Sequence, residues 1–338
     1  MNKNETVILI PSYEPDKYLI NTVNELLNEG FSILVVNDGS GDEFDEIFNI
    51  VKDKVSYIKL PKNKGKGGAL KEGYKNILSY YPDAKYVITA DGDGQHSTKD
   101  ILRVNELLNE KDECVLGVRI FDKSVPFRSR FGNDWSKLYR GLLTKQYVED
   151  DQCGLRGFPV RYLDELSRIK GNRYDYEMNQ LSSFQLRNYT IYTLPIEVIY
   201  LDNNSRSHFS QFWDTLRIHS KIFYQGIPQL ICLGLLIAGL IVLYHFGYGF
   251  YHLPVLGGYL ASTLLYLALA SFIQPSKRPW RRVGKEMLYA LLKMSFAFGL
   301  MWLLCNVAHL TYYASIPISV LLACFFNLFI PIIIKKTR

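Results

Sequence analysis

The last third of the chain consists mostly of apolar runs that are almost as long as a membrane is thick. Four such runs lie at about residues 227–246, 253–273, 289–310 and 316–334. A helix needs roughly 20 apolar residues to cross the hydrocarbon core of a bilayer. A soluble bundle would show polar positions at helical spacing, but no Asp, Glu, Lys or Arg occurs between Gly226 and Ser276. We therefore expect residues 226–338 to form an all-α transmembrane domain with four helices.

Charge is divided unevenly along this 338-residue chain. Residues 226–338 hold nine Lys or Arg and one acid, a net charge of +8, whereas residues 1–225 have a net charge of −2. The basic surplus therefore lies among apolar runs, which indicates a membrane surface as the partner and not nucleic acid. It is concentrated in residues 276–286 and at the end of the chain, while the other two connections carry no Lys or Arg. The positive-inside rule then places both termini and residues 1–225 on the cytoplasmic side of a multi-pass plasma or inner membrane.

Residues 1–205 alternate between short β-rich runs and amphipathic helical stretches. Strands are expected at 6–10, 32–36, 55–60, 86–90 and 114–118, and helices near 16–29, 42–51, 66–80 and 98–109. This order predicts an α/β domain with a mostly parallel sheet covered by helices on both faces. The polar clusters "PSYEP", "NDGSGD", "NKGKGG" and "DGDGQH" each follow one of the first four strands. Loops at the carboxyl ends of parallel strands meet at one edge of the sheet, where ligands bind.

Residues 206–225 join these two parts. Their large apolar side chains recur at helical spacing just before the first apolar run, at Phe209, Phe212, Trp213, Leu216 and Phe223. We therefore expect an amphipathic helix at the membrane interface here. A basic and apolar stripe that begins at Phe131 fits either an interfacial helix or a core face with solvated charges.

The segment "DGDGQH" places three oxygen-bearing side chains at alternate positions. In an extended stretch Asp91, Asp93 and Gln95 project to the same side, and Gly92 and Gly94 permit close approach of the backbone. Such oxygen ligands suit Mg²⁺ or Mn²⁺, with substrate phosphates completing the coordination shell. A bound dication would offset the repulsion between the two aspartates. Taken alone, the same residues also fit a solvated turn.

The other loops allow both a functional and a structural interpretation. Asp38 could accept hydrogen bonds from a nucleotide base or ribose, or it could belong to an ordinary Asn-Asp-Gly-Ser turn. Lys66 and the free N–H groups of the glycine-rich turn around it could hold an anion at a helix N-terminus. The order of residues required for a P-loop is absent.

The motifs "VILIPSYEP", "VVNDGSGD", "NKGKGGALKEGY" and "ITADGDGQH" together resemble the family 2 glycosyltransferases, most closely their polyprenyl-phosphate (dolichyl-phosphate-mannose-synthase-like) branch. The resemblance covers about residues 5–215 and implies the GT-A fold, which is Rossmann-like. It implies a nucleotide-sugar donor bound by Pro11, Tyr13, Glu14, Asp38, Lys66 and Asp91, with the metal on Asp91, Asp93 and Gln95. Asn37 departs from the pattern, because many members have a second acid there.

Later motifs extend the resemblance to an acceptor site. By this resemblance, the arginines of "GVR" and "RSRFGN", Arg119 and Arg130, bind the acceptor phosphate, and Asp150 lies near the metal and the sugar. Asn133 and Arg206 are assigned to the acceptor as well. The residues expected to carry catalysis are Asp93, Asp150, Arg119 and Arg130. A buried ion pair or a helix cap would explain Asp175, Glu177, Arg206 and His208 equally well.

The expected reaction is metal-dependent transfer of a hexose from a UDP- or GDP-sugar to undecaprenyl or dolichyl phosphate at the cytoplasmic leaflet, by an enzyme that could form a homo-oligomer. One alternative is transfer to a hydroxyl acceptor, such as diacylglycerol or a growing polysaccharide, although residues 1–225 lack the Q-x-x-R-W motif of processive synthases. Another is a membrane carrier with a head that binds sugar nucleotides, although the apolar runs lack the buried charges that mark a transport path.

Overall fold

A computed structural model describes residues 3–120, 138, 150, 152–187, 189–197, 199, 213–245, 252–273 and 279–323. The chain divides into two compact units. The first unit comprises Met1–Phe131 and Glu149–Ile218, and the second comprises Gly132–Val148 and His219–Arg338.

The first unit is built on one seven-stranded sheet. Its strands are β1 Thr6–Ser12, β2 Ser32–Asn37, β3 Ser56–Lys59, β4 Tyr86–Thr89, β5 Cys114–Arg119, β6 Arg156–Pro159 and β7 Ile191–Ile196. They lie in the order β3-β2-β1-β4-β6-β5-β7. All neighbouring pairs are parallel except those made by β6, which runs antiparallel to both β4 and β5. The central strands β1 and β4 are buried along their whole length, as continuous apolar runs in a covered sheet should be.

Helices cover both faces of this sheet. They are α1 Lys17–Asn28, α2 Asp45–Lys52, α3 Lys66–Tyr80, α4 Thr98–Lys111, α5 Leu163–Ser167 and α6 Asp175–Leu186. Because side chains alternate along a strand, Ile8 and Ile10 of β1 belong to one apolar layer while Val7 and Leu9 belong to the other. The mixed α/β sheet with helices on both faces is therefore confirmed.

The region after β5 departs from the simple βαβ rhythm. β6 enters the sheet between β4 and β5 and reverses direction, which the sequence did not predict because its four residues "RGFP" contain Gly and Pro. Gly157 is needed there, since a Cβ atom at this position would lie 2.6 Å from Leu108 of α4. β6 therefore has a glycine where a strand usually has a β-forming side chain, and this glycine allows β6 to pack closely against α4.

The second unit is all-helical over its described residues. Its helices are α7 Trp213–His245, α8 His252–Ile273, α9 Pro279–Asn306 and α10 Tyr312–Ala323. α7 is one continuous helix with Pro228 inside it, so the structure shows no break between the expected interfacial segment and the first apolar run over the described residues. Residues 206–212 and 324–334 of the predicted elements lie outside the described residues.

One described stretch is both long enough and apolar enough to cross a membrane, Met287–Asn306 in α9. Ile227–Val242 and Tyr312–Ala323 are apolar but shorter. The structure therefore gives one candidate span among its described residues, and the set of four remains a prediction.

Candidate active site

Hydrogen bonds around Asp38 join the loops that follow the first three strands. The N–H of Asp38 donates to the carbonyl of Ser12, and its carboxylate accepts from the N–H of Lys64, both at 2.8 Å. Asp38 is 2% exposed. Burial raises the pKa of Asp38, against the opposing effect of the N–H groups of Lys64 and Gly65. The structure thus brings these polar loops together at the carboxyl edge of the sheet.

Asn37 is fixed on both sides of its amide. Its Oδ1 accepts from the N–H of Ser40 at 2.8 Å, and its Nδ2 donates to the hydroxyl of Tyr57 at 2.9 Å. A carboxylate here could keep the first bond and would have to accept, not donate, in the second. The amide therefore uses both of its polar atoms within the site.

The residues after β1 lie beside this loop. Pro11 is buried within β1, whereas Tyr13 and Glu14 are half-buried. Glu14 has a left-handed backbone with φ of 49°, and its N–H donates to Ser40 Oγ at 2.9 Å. The pKa of Tyr13 is raised, first by its hydrogen bond with Glu14 and then by burial. A non-glycine residue is thus held in an uncommon conformation at the edge of the site.

Lys66 connects two carboxylates. Its Nζ lies 2.7 Å from Asp91 Oδ1 and 2.9 Å from Glu177 Oε1, and His96 Nε2 lies 3.4 Å from Asp91 Oδ2. Burial acts to raise the pKa of Asp91, but the charge of Lys66 and the hydrogen bond with His96 outweigh it and hold that pKa well below its usual range. The pKa of Lys66 is raised because its two carboxylate partners outweigh its burial. The dication expected to offset the repulsion between Asp91 and Asp93 remains a prediction, and Lys66 is a cation that already contacts Asp91 in the structure.

Asp93 is the exposed acid of this cluster. Its Oδ1 accepts from the N–H of Gln95 at 3.0 Å. Desolvation within the loop, and then repulsion from Asp91, raise the pKa of Asp93. Asp91 therefore still repels Asp93, because the other described neighbours of Asp93 offset this repulsion only in part.

The glycines at the start of α3 serve close packing. The N–H of Gly68 donates to the carbonyl of Asn172 at 2.9 Å. A Cβ atom on Gly67 would lie 2.3 Å from Tyr176 Cβ, and one on Gly65, where φ is +83°, would lie 2.5 Å from the Asn172 carbonyl oxygen. The segment before α6 therefore takes up the N–H of Gly68 and packs closely against this turn.

Gly154 lies directly against the Lys66–Asp91 pair. A Cβ atom there would be 2.5 Å from Asp91 Oδ2 and 2.8 Å from Lys66 Nζ. Its carbonyl accepts from Thr89 Oγ1 at 2.8 Å, and the buried Arg156 donates to the neighbouring carbonyl of Cys153 at 2.8 Å. The hydrogen-bonded loop around Gly154 therefore places backbone atoms, with no side chain between, directly against the Lys66–Asp91 ion pair.

Arg119 and Asp150 form a bidentate ion pair. Arg119 Nε lies 2.7 Å from Oδ2 of Asp150, and an Nη atom lies 2.9 Å from Oδ1. Asp150 is 0% exposed and also accepts from the N–H groups of Arg119 and Gln152. Burial acts to raise the pKa of Asp150, but the charge and hydrogen bonds of Arg119 keep it below its usual range. Asp150 thus holds the guanidinium at the end of β5.

Not every predicted site residue can be placed. Arg130, Asn133 and Arg206 lie outside the described residues. The ion-pair interpretation of Glu177 is confirmed, since it is 4% exposed and bonded to Lys66. The contacts of Gly154 were not predicted, although a glycine four residues after Asp150 was a visible signal.

The acidic cluster fits a metal ion only in part. Among the described residues, no three His, Cys, Asp or Glu side chains are grouped closely enough to hold a metal by themselves. Mg²⁺, however, normally takes one or two carboxylates and completes its shell with water and substrate phosphates. Asp93 is exposed, and its carboxylate has the chemistry of such a ligand.

The family to which the chain belongs follows from comparison with known proteins. Residues 7–166 match the model of glycosyl transferase family 2. A UDP-N-acetylglucosamine–dolichyl-phosphate N-acetylglucosaminyltransferase of Methanococcus voltae is 32% identical over 240 residues, which cover 64% of this chain and 93% of that protein. The chain belongs to glycosyl transferase family 2. It is therefore a glycosyltransferase.

Two further matches are more distant. A dolichyl-phosphate β-glucosyltransferase of Dictyostelium discoideum is 28% identical over 168 residues, which cover 45% of this glycosyltransferase and 50% of that protein. Among solved structures, glucosyl-3-phosphoglycerate synthase from Mycobacterium tuberculosis, in complex with Mn²⁺ and UDP, matches 66% of this chain and 78% of its own. Its TM-score is 0.48 at 15% identity.

Proposed function

We propose that this glycosyltransferase transfers a hexose from a UDP- or GDP-sugar to a polyprenyl phosphate at the cytoplasmic leaflet, with Mg²⁺ or Mn²⁺. The observation that carries the proposal is the 240-residue match to a transferase named for dolichyl phosphate, which covers 93% of that protein. The arginine held at the end of β5, Arg119, supplies a cation of the kind that an anionic acceptor requires.

The donor is proposed to lie along the loops after β1 and β2. Pro11, Tyr13, Glu14 and Asp38 would contact the nucleoside, with the buried carboxylate of Asp38 as hydrogen-bond acceptor. Asp91 belongs to the same set. Lys66 has a supporting role, because its charge is already shared between Asp91 and Glu177.

The metal would be held by Asp91, Asp93 and Gln95, with Asp93 as the main protein ligand. When bound, it would supply positive charge that stabilises the departing nucleoside diphosphate. The residues of the chain keep the site in shape: Lys66 orients Asp91, and Gly154 leaves room for both.

The acceptor needs orientation more than deprotonation. A phosphate monoester has a second pKa of about 6 and is therefore largely ionised at neutral pH. Arg119 and Arg130, with Asn133 and Arg206, are proposed to position it. Asp150 is buried and bidentate to Arg119, so its proposed role is to fix that guanidinium and not to touch the sugar.

The second unit is proposed to anchor the enzyme. We propose that residues 1–205 form a cytoplasmic domain, residues 206–225 an interfacial stretch and residues 226–338 a four-helix membrane domain. Both termini are proposed to lie in the cytoplasm. The apolar stretch Met287–Asn306 and the basic residues of 276–286 support this arrangement.

A panel of radiolabelled UDP- and GDP-sugars tests the proposal. Membranes containing the full chain are supplied with undecaprenyl phosphate or with diacylglycerol, and the lipid product is treated with mild acid. We expect a metal-dependent product that forms only with the phosphate acceptor and releases its sugar in mild acid. An acid-stable product formed only with diacylglycerol, or turnover that persists in EDTA, would contradict it.

A further inference from the structure

Glu177 is the more deeply buried of the two carboxylates that contact Lys66. Its side chain is 5% exposed, whereas the side chain of Lys66 is 16% exposed and that of Asp91 is 27% exposed. The three charges therefore run from a buried carboxylate, through the ammonium, to a carboxylate nearer the surface. Glu177 Oε1 lies 2.9 Å from Lys66 Nζ. A carboxylate buried in this way acts on a ligand through the lysine that it contacts.

The backbone that carries Glu177 is fixed by the buried side chain of Arg156. This guanidinium donates from Nη1 to the Glu177 carbonyl at 2.8 Å and to Gln180 Oε1 at 2.6 Å. Its Nε donates to the Cys153 carbonyl at 2.8 Å, next to the glycine that lies against the ion pair. Arg156 thus ties the first turn of α6 to that loop. Such a supporting network is what a positioning group requires.

The helix that begins at Lys66 is held against the segment before Glu177. The N–H of Gly68 donates to the carbonyl of Asn172 at 2.9 Å. The backbones of Lys66 and Glu177 are therefore fixed relative to each other. A lysine side chain is a flexible four-carbon stem, so the contact with Glu177 determines where the Lys66 ammonium lies.

Lys66 needs this second carboxylate under the conditions of the proposed reaction. In the structure, Asp91 also holds the ammonium, with Oδ1 at 2.7 Å from Nζ. In the proposed function, however, Asp91 is a metal ligand, and a dication would repel the neighbouring ammonium. Glu177 is outside the proposed metal set and keeps its attraction for Lys66. It can therefore retain the ammonium when Asp91 shares its charge with a metal.

We propose that Glu177 is a positioning residue, which holds the Lys66 ammonium beside Asp91 so that its charge meets the diphosphate of the nucleotide-sugar donor. The inference rests on the proposed function, because it takes Lys66 as part of the donor site. The effect of Glu177 on nucleotide binding should then disappear when Lys66 is absent. A residue that only stabilises the fold would have the same effect with or without Lys66.

Nucleotide binding by the full chain in detergent tests the proposal. Isothermal titration measures the affinity for UDP and for GDP in the presence of Mn²⁺. Affinity is the suitable readout, because partial unfolding lowers the amount of nucleotide bound but not the affinity of the folded fraction. Glu177→Gln keeps the shape of the side chain and removes its charge. It should weaken binding of the preferred nucleotide by roughly tenfold, as for a displaced charge-assisted contact.

Glu72→Gln is the matched control. Glu72 lies in the same helix as Lys66 and also pairs with two lysines, Lys64 and Lys75, each at 3.3 Å. Among the described residues it forms no ion pair with Lys66. Its substitution should change nucleotide affinity by less than about twofold, as for a partly exposed ion pair.

Lys66→Met, alone and combined with Glu177→Gln, completes a double-mutant cycle. Lys66→Met should weaken nucleotide binding by at least about tenfold, and the added Glu177→Gln should then change it by less than about twofold. The double variant should also be more stable than Lys66→Met, because a buried carboxylate no longer lacks its cation. A further tenfold loss in the Lys66→Met background overturns the proposal, and so does wild-type affinity in folded Glu177→Gln.

Glu177→Asp decides the question where Glu177→Gln does not fold. It keeps the charge but withdraws it from Lys66 Nζ by one carbon–carbon bond, about 1.5 Å. A weakening of nucleotide binding by roughly threefold or more supports the proposal. Unchanged binding overturns it.

Failure of this inference can be told apart from failure of the proposed function, because the nucleotide titration needs no acceptor. A chain that behaves as expected in the cycle but gives no polyprenyl product in the sugar panel would sink the proposed acceptor alone. A chain that forms the lipid product but binds nucleotide equally well as wild type and as Glu177→Gln would sink the inference alone. A chain that binds neither UDP nor GDP would contradict both.

Discussion

Two charge clusters in the first unit differ in their balance. Around Lys66, one cation serves two carboxylates, Asp91 and Glu177, and the exposed acid Asp93 lies next to them along the chain. Between Arg119 and Asp150 the charges match one to one, and Asp150 is completely buried. The first cluster retains negative charge and can take up another cation. In the second cluster the two charges balance, so Asp150 holds the Arg119 guanidinium in place.

This difference predicts where a substitution should cost activity and where it should cost stability. An exposed acid in a cluster of surplus negative charge contributes little to folding. A buried acid with one cationic partner leaves an uncompensated charge when that partner is removed. Substitution of Asp93 should therefore mainly lower activity, whereas substitution of Arg119 should mainly lower stability. The four predictions below test this difference.

The largest expected effect is at Asp93. Asp93→Ala should lower transfer activity by roughly a thousandfold, because it removes the proposed main metal ligand of an electrostatically stabilised reaction. The fold should remain intact, since the change also removes repulsion with Asp91. Activity is measured with saturating Mn²⁺, and Asp83→Ala, another exposed acid, is the matched control. Activity of the Asp93 variant that is insensitive to EDTA would contradict the comparison.

Gly154→Ala tests how tightly the Lys66 cluster is built. The new methyl group would lie 2.5 Å from Asp91 Oδ2 and 2.8 Å from Lys66 Nζ, so the ion pair must move. We expect a loss of activity of roughly a hundredfold, as for a catalytic group displaced by about 1 Å.

Gly92→Ala is the control for that experiment. It lies in the same loop as Asp91, but the three atoms nearest to its new methyl group would belong to the uncharged side chains of Leu19, Ile10 and Ser12, at 3.1 to 3.6 Å. Its activity should stay within a few fold of wild type. Equal losses in both variants would show that any added bulk in these loops matters, and not the contact with the ion pair.

Substitutions in the Arg119–Asp150 pair should change the stability of the first unit. Arg119→Ala should lower the free energy of unfolding of the first unit by about 3 kcal/mol, because it strands a buried carboxylate. Arg119→Leu combined with Asp150→Asn removes both charges and should recover most of that loss. Amide hydrogen exchange in β1 measures the effect.

The double variant also separates two roles of Arg119. If the arginine contacts the acceptor phosphate, the stable double variant remains inactive. If it only neutralises Asp150, the double variant regains activity along with stability. Arg119→Ala alone cannot distinguish these roles, because it removes the guanidinium and strands Asp150 at the same time.

The sequence predicted the fold well up to β5. Strands and helices there are local patterns of apolar residues, and the observed α3 spans Lys66–Tyr80 as expected. β6 was missed because its place depends on a distant contact, that of Gly157 with Leu108. Local periodicity carries no information about an antiparallel strand inserted between two others.

For the site, residue types could be predicted but not their partners. Asp91 and Lys66 were both selected, yet their 2.7 Å contact depends on how α3 packs against β1 and β2 of the sheet. Glu177 completes the cluster from a helix more than 80 residues later in the chain. Asp150 was expected near the sugar, and only the structure shows it buried under Arg119. Pairing is a tertiary property, so it could not follow from motif spacing.

The smallest expected effect concerns Asp38, which contrasts with Asp150 in the sign of its pH dependence. Burial raises the pKa of Asp38, so its charge disfavours the folded state at neutral pH, and this cost is lost as the pH falls through the raised value. The pKa of Asp150 is lowered, so its contribution is present above the ordinary value and is lost only at still lower pH. Asp38→Asn should therefore raise the free energy of unfolding at pH 7 by less than about 1 kcal/mol, because the amide oxygen still accepts the Lys64 N–H. Hydrogen exchange in β1 at pH 7 and pH 4.5 should show this gain shrinking at the lower pH, with Asp83→Asn unchanged. A gain that grew on acidification would mean that the N–H groups of Lys64 and Gly65 outweigh burial at Asp38.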